Sequence, residues 1–467
     1  LFDLNPLIIL GIGIAVVLGM IIVLRINAFV ALISAAIVVS LLAPGDWAVK
    51  ISRVAEEFGK TVGNIGIVIA MAAIIGKCLT DSGAADRVVR MFTNFLGEKR
   101  APVSLMASGF VLSVPVFFDT VFYLLLPLAR SMHRKTGLKY LLLILAMGAG
   151  ASITHSLVPP TPGPLLIAGQ LKIDVGMMMM IGLAVSIPTA AIIYFFIRWL
   201  TTMIDIPMRP IEGGAAEPEP LPDDRLPGLF VSILPIILPV ILISANTILL
   251  ALAKKDTAGA GLVLAANITA VVGNANLAML ISAAIALAVL YCQRKPTRQQ
   301  MAEIIESSLM SAGVIILITA AGGAFGAMLR EAQIGPAIEN LFVGGGASHI
   351  AGLKVIFMGF AVACLLKFAQ GSSTVSMITT AGMMASLILG PDGSYVQIGY
   401  HPVYVAAAIG FGAQCGNWMN DSGFWVFAKM GGLTEVETLR TWTVTVSLMA
   451  VIGLFVTVAF AKMLPLV

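Results

Sequence analysis

The sequence predicts an all-α, polytopic membrane protein: an inverted repeat of five crossings per half, with two re-entrant hairpins and two broken helices. Three observations predict it. Of 467 residues, 59% are hydrophobic and only 11% charged, where a soluble domain carries about 25% charge. Apolar runs of bilayer-spanning length recur along the whole chain. One such run in each half is interrupted by a polar, helix-breaking cluster, Ser152 to Pro164 (SITHSLVPPTPGP) and Gln414 to Gly423 (QCGNWMNDSG). Backbone freed by such a break must be satisfied by protein, water or ligand at membrane depth, and paired breaks point to a transporter's binding site.

The first run, 5–24, is too long for a signal-peptide core and lacks a cleavage site, so it reads as a spanning helix. Further spans are expected at 27–43, 62–80, 138–172 (broken), 175–200, 228–251, 275–292, 312–329, 402–428 (broken) and 441–464. Two longer runs, 101–131 and 349–388, are interrupted by Ser113 to Asp119 (SVPVFFD) and Lys367 to Thr374 (KFAQGSST). These read as hairpins that enter and leave by the same face. Amphipathic stretches at 47–61 and 297–311 precede a span in each half. Between the halves, Pro207, Pro210, Pro218, Pro220 and Pro222 with Glu217, Glu219, Asp223 and Asp224 mark a solvated linker. The expected units are therefore 1–204, a cytoplasmic linker 205–227, and 228–467.

A gapless shift of 250 positions relates Glu56 to Glu306, Gly63 to Gly313, Gly76 to Gly326, Leu79 to Leu329 and Phe92 to Phe342, and sets Asp81 on Glu331. An odd number of crossings per repeat turns the second half upside down. With the linker in the cytoplasm, most of the 28 Lys and Arg fall on the cytoplasmic side, as the positive-inside rule requires, and both termini lie outside. A net charge of +4 carried by loops gives no reason to expect nucleic acid. Cys78, Cys292, Cys364 and Cys415 are scattered without metal-ligand or redox spacing; no cofactor or metal site is expected.

Ionisable residues within a membrane are functional candidates by default. Four qualify, one at each interruption: Asp119, His155, Lys367 and Asp421. Lys367 opens a tip in which Gly371, Ser372, Ser373 and Thr374 start a helix, and helix N-termini favour anions. A carboxylate is the natural guest, with Lys367 as its anchor; the alternative is that Lys367 pairs with Asp119 or Asp421. Either aspartate could load and release a proton, or cap a helix. His155 stands beside a proline-stiffened loop, where it could contact ligand or proton or serve as a structural hydrogen-bonder. Asn417, Asn420, Ser372, Ser373 and Thr161 could meet substrate hydroxyls.

Together these residues resemble the gluconate:proton symporter (GntP) family of bacterial permeases, within the ion transporter superfamily, over nearly the whole chain. The resemblance rests on His155 to Pro164, on Phe117-Phe118-Asp119 followed by Leu124 to Leu128, on Gln370 to Val375, and on Asn420 to Trp425. It implies proton-coupled import of gluconate-like sugar acids, a dimerising scaffold domain, and an elevator-type transport domain carrying the hairpins and broken helices. It implies binding roles for His155, Thr161, Gly163, Gly371, Ser372, Thr374, Asn420 and Asp421. Departures from the family pattern are Asp119 (usually Glu, after Tyr), Thr161 (usually His), Lys367 (usually Arg) and Gln370 (usually Leu).

The reading is thus a secondary active transporter, not an enzyme, multi-pass in the bacterial inner membrane. It imports gluconate-like sugar acids or small hydroxy carboxylates with protons, and works as a homodimer among membrane lipids. Asp119 or Asp421 would carry the proton. A Na⁺-coupled (di)carboxylate carrier is the nearer alternative. An intramembrane aspartyl protease is the remote one, since two membrane aspartates could form a dyad, although no GxGD segment occurs.

Overall fold

The computed structural model describes residues 5–24, 26–209, 225–253, 259–333, 352–390, 393–418 and 421–466. Most of the linker, Phe342 of the repeat alignment, and Asn420 lie outside the described residues.

Several helices begin where the sequence supplies a cap or a proline. In the first half α1 (Pro6–Leu18) and α2 (Ala28–Leu42) start on Asn5 and Asn27, whose side chains accept from Leu7 N and Phe29 N at 2.9 and 2.8 Å. Then come α3 (Ser52–Ser82), α4 (Ala84–Leu96), α5 (Ala101–Leu112), α6 (Phe118–Thr136), α7 (Tyr140–Leu157), α8 (Pro162–Gln170) and α9 (Val175–Met203). In the second half are α10 (Leu229–Ala253), α11 (Ala260–Val272), α12 (Ala275–Arg294), α13 (Arg298–Glu331), α14 (Lys354–Gln370) and α15 (Ser373–Ile388). They are followed by α16 (Val403–Gly412), α17 (Ser422–Gly431) and α18 (Val444–Met463).

All four expected interruptions are real. Val158 leaves α7 with extended backbone (φ −115°, ψ 115°), the conformation a following proline favours, and Pro159–Pro160 is a cis bond. Thr161 precedes α8 without a side-chain cap bond, and the first residue of that helix is Pro162, a position where the missing N–H costs nothing. Gly371 closes α14 in the left-handed region (φ 83°), open to glycine without strain. Among the described residues six helices are long and apolar enough to cross a membrane, or seven if the helix pair across 47–82, bent by 43°, is one span.

Three segments differ from the sequence reading. The amphipathic stretches are not separate elements: 47–61 mostly, and 297–311 almost wholly, continue into the following spans as α3 and α13, because no breaker separates them. Helix α11 falls where no span was expected. Thirteen residues are too few to cross a bilayer, and a hydropathy window reads them as a connection.

The helices differ in how deeply they are buried. α7, α15 and α16 are enclosed on nearly every side, whereas α10 and α11 expose Ile237, Ile241, Leu264 and Ile268. A helix apolar all round belongs inside, and one with an exposed apolar face in a membrane protein meets lipid or a partner. The halves interlock: α3 runs along α13, α2 packs on α13, and α12 packs on α3. α5 lies on α7, and α14 on α16, through glycines at backbone contact. A Cβ at Gly150 would strike the Met106 carbonyl, and one at Gly412 the Phe360 carbonyl. Between α13 and α15, Gly326 faces Gly382, each lying 2.7 Å from the other's added Cβ, and Gly322 faces Ile378.

Candidate functional site

All four interruptions converge on one cavity of about 620 Å³, a size suited to a small-molecule ligand. The first tip supplies Phe117, Phe118, Asp119 and Thr120; the first break supplies Ser152, His155, Ser156 and Pro162. The second tip supplies Gly371 to Val375, and the second break Asn417, Asp421 and Gly423. Ile315 and Ile318 of α13 and Trp442, in the turn before α18, complete the wall.

Direct bonds hold these segments together. Gln414 Nε2 donates to the Ser152 carbonyl at 3.2 Å, joining one break to the other. Trp418 stacks on Phe368 (centroids 5.3 Å) and donates from Nε1 to the Phe368 carbonyl at 3.0 Å, fastening the second break to the second tip. Beneath the first tip, Phe118 stacks on Trp442 at 5.5 Å, and Trp442 on Phe427 at 4.5 Å. Thr443 Oγ1 donates to the Asn417 carbonyl at 2.5 Å, and Gly416 N to Ser447 Oγ at 3.1 Å.

Of the residues singled out in the sequence, Asp119, His155, Gly371, Ser372, Ser373, Thr374, Asn417 and Asp421 line the cavity. Asp119 has no hydrogen bond or ion pair among the described residues. His155 Nδ1, Asn417 Oδ1 and Trp442 Nε1 are buried without a partner there. Such atoms cost about 1–3 kcal/mol each unless something satisfies them, which marks this wall as made for polar guests. Ser372 caps α15, accepting from Val375 N at 3.3 Å, so the start of that helix faces the cavity.

Lys367 is placed otherwise than the direct-anchor reading expects. Its ammonium is wholly enclosed and does not line the cavity; it bonds the Gly371 carbonyl and the Asp421 carboxylate. The alternative of pairing with Asp421 is the observed arrangement. The cause is local: Gly371 folds the chain back over the last turn of α14, its N–H bonding the Lys367 carbonyl at 2.8 Å. There an unpaired charge would be costly. Asp421 in turn caps α17, Oδ1 accepting from Gly423 N at 2.5 Å.

Thr161 and Gly163 also stand behind the wall. Thr161 Oγ1 donates to the Val158 carbonyl at 2.7 Å, and Gly163 lets Met377 approach closely. Both shape the first break. Thr161→Val is therefore expected to change the half-saturation of uptake by less than about threefold, whereas His155→Ala raises it about tenfold, the worth of a hydrogen bond of about 1.4 kcal/mol. Concentration-dependent uptake in proteoliposomes reads both. Thr120 and Ser156 join the cavity as neighbours of flagged residues, but Trp442, Ile315 and Ile318 lie in ordinary apolar runs without a signal.

A polytopic helical bundle whose broken helices meet at one central polar cavity has the architecture of a membrane transport protein. A family model described as GntP family permease matches residues 5–464, and the chain belongs to that family. It is 32% identical over 451 residues to the Gnt-II system L-idonate transporter of Escherichia coli (strain K12), covering 96% of this chain and 97% of that one. It is 29% identical over 455 residues to the gluconate permease of Bacillus licheniformis, covering 96% and 98%. In fold it is similar to the crystal structure of the Alcanivorax borkumensis YdaH transporter, with a TM-score of 0.64 at 14% identity, covering 99% and 100%. The protein is thus a multi-pass inner-membrane permease, not an enzyme.

Proposed function

We propose that this permease imports a gluconate-like sugar acid together with a proton. The observation that carries the reading is the meeting of all four interruptions at one cavity, in a chain whose relatives include gluconate and L-idonate transporters. The N–H groups at the start of α15 receive the carboxylate. His155, Asn417, Asn420, Ser372 and Ser373 meet hydroxyls, and Asp119 or Asp421 carries the proton. Units 1–204 and 228–467 form the inverted repeat, joined by the cytoplasmic linker. The reciprocal packing of α2 on α13 and α12 on α3, and of α5 on α7 and α14 on α16, supports it. The hairpins α5–α6 and α14–α15 are re-entrant and ride with the broken helices α7–α8 and α16–α17 as an elevator, against a dimeric scaffold that includes α3 and α13.

The test is uptake of labelled gluconate into proteoliposomes. An inward proton gradient is expected to drive accumulation, an uncoupler to abolish it, and removal of Na⁺ to leave it unchanged. Uptake that requires Na⁺ and ignores the uncoupler at fixed pH would select the Na⁺-coupled carrier instead.

A further inference from the structure

The Lys367–Asp421 ion pair is enclosed at the junction of the second tip and the second break, with side chains 0% and 8% exposed. Only one partner reaches the cavity. Asp421 lines it; Lys367 lies behind Asp421 and the Gly371 carbonyl. We propose that this pair makes proton and anion binding interdependent: a proton taken by Asp421 frees the Lys367 charge, which the substrate carboxylate then balances. The inference rests on the sugar-acid and proton reading above, and specifies how that site couples its two passengers.

Charge arithmetic gives the coupling. Empty, the pair sums to zero. Anion alone leaves one uncompensated negative charge, and proton alone leaves one positive charge. Proton and anion together return the sum to zero. Uncompensated charge in a low-dielectric setting is strongly disfavoured, so the empty and doubly loaded forms bind and cross while the half-loaded forms do not. Asp421 can change charge without losing its place. Its Oδ1 holds the α17 cap through Gly423 N, and a protonated carboxyl keeps one oxygen as an acceptor. The proton enters on Oδ2, the atom that faces Lys367.

The other ionisable groups on the surrounding elements are few. Asp119 and His155 line the cavity without a bond to either partner. The free thiols of Cys364 and Cys415 hydrogen-bond one another. Lys429, at the far end of α17, pairs with Glu435, and Arg440 is exposed. α15 contains none, and α16 only Tyr404, whose hydroxyl donates to the Leu464 carbonyl. Lys367 is therefore a positioning residue acting through Asp421, and the diagnostic readout is the pH profile of affinity.

Gluconate binding to purified protein, measured by calorimetry from pH 5 to 9, tests this. In the unmodified protein, one proton per anion makes the apparent Kd rise about tenfold per pH unit on the alkaline limb. Lys367→Arg with Asp421→Asn fixes the charge of the pair at +1, since guanidinium stays protonated; its Kd is expected to be flat with pH and near the acidic-limit value. Lys367→Met with Asp421→Asn fixes it at zero, and its Kd is expected to be flat and at least about thirtyfold weaker. Asp119→Asn is expected to keep the slope. A slope that survives in the Arg–Asn variant, or that vanishes in Asp119→Asn, overturns the proposal while leaving proton-coupled uptake standing. Failure of the unmodified protein to bind any sugar acid removes the transport reading itself.

Discussion

Lys367→Met alone is expected to lower stability by about 3–5 kcal/mol, and adding Asp421→Asn to recover most of that loss. The single change leaves the Asp421 carboxylate enclosed with its Gly423 cap bond but without its counter-charge. The double change leaves two neutral groups, and neutral replacements for a buried pair are often tolerated. Parallel thermal melts of detergent-purified protein give the comparison. If the double variant melts no higher than the single, the pair does not set the stability of this junction. Uptake by the single variant is expected to be lost, because no positive charge then offsets an incoming carboxylate.

Gly150→Val and Gly412→Val are expected to be equally damaging for a different reason. At 150 the new Cβ meets the Met106 carbonyl oxygen, with the carbonyl carbon at 2.9 Å; at 412 it meets the Phe360 carbonyl, with Ala363 Cβ also at 2.9 Å. Backbone cannot rotate aside, so the helices must separate. Overpacking costs about 1–3 kcal/mol in ordinary cores, and here it also shifts a hairpin against its broken helix at the cavity. The expected result is a lower melting temperature and at least a hundredfold loss of uptake, on the scale of about 3 kcal/mol. Gly169→Ala is the control: nothing lies within 4 Å of its added Cβ, and alanine is the better helix former by about 1 kcal/mol. A Gly150→Val protein that melts and transports like the control would disprove the close approach.

Much of the site was legible because membrane chemistry makes its residues conspicuous. Prolines clustered at 159, 160, 162 and 164 disfavour an unbroken helix, and Asp119, His155, Lys367 and Asp421 have no place on a lipid-facing surface. What sequence could not supply is direction. Nothing in the segment 367–374 tells whether the lysine reaches toward the cavity or back to Asp421, a residue 54 positions later. Thr161 likewise spends its hydroxyl on the loop that holds it. Trp442, Ile315 and Ile318 are apolar residues in apolar runs, and only their packing partners distinguish them. Helix lengths were unreadable where polarity changed without a breaker, as in α3 and α13.

The contact between α13 and α15 has a mechanical corollary. Gly322 and Gly326 stand one turn apart on α13, the first receiving Ile378 and the second facing Gly382. Side-chain-free notches at that interval form a rack. A slip of about 6 Å, four residues at about 1.5 Å each, would carry Ile378 from one notch to the next, while half that distance would drive its branched side chain against the helix between them. In the elevator proposed above, movement along this seam would be stepped, with resting positions about 6 Å apart.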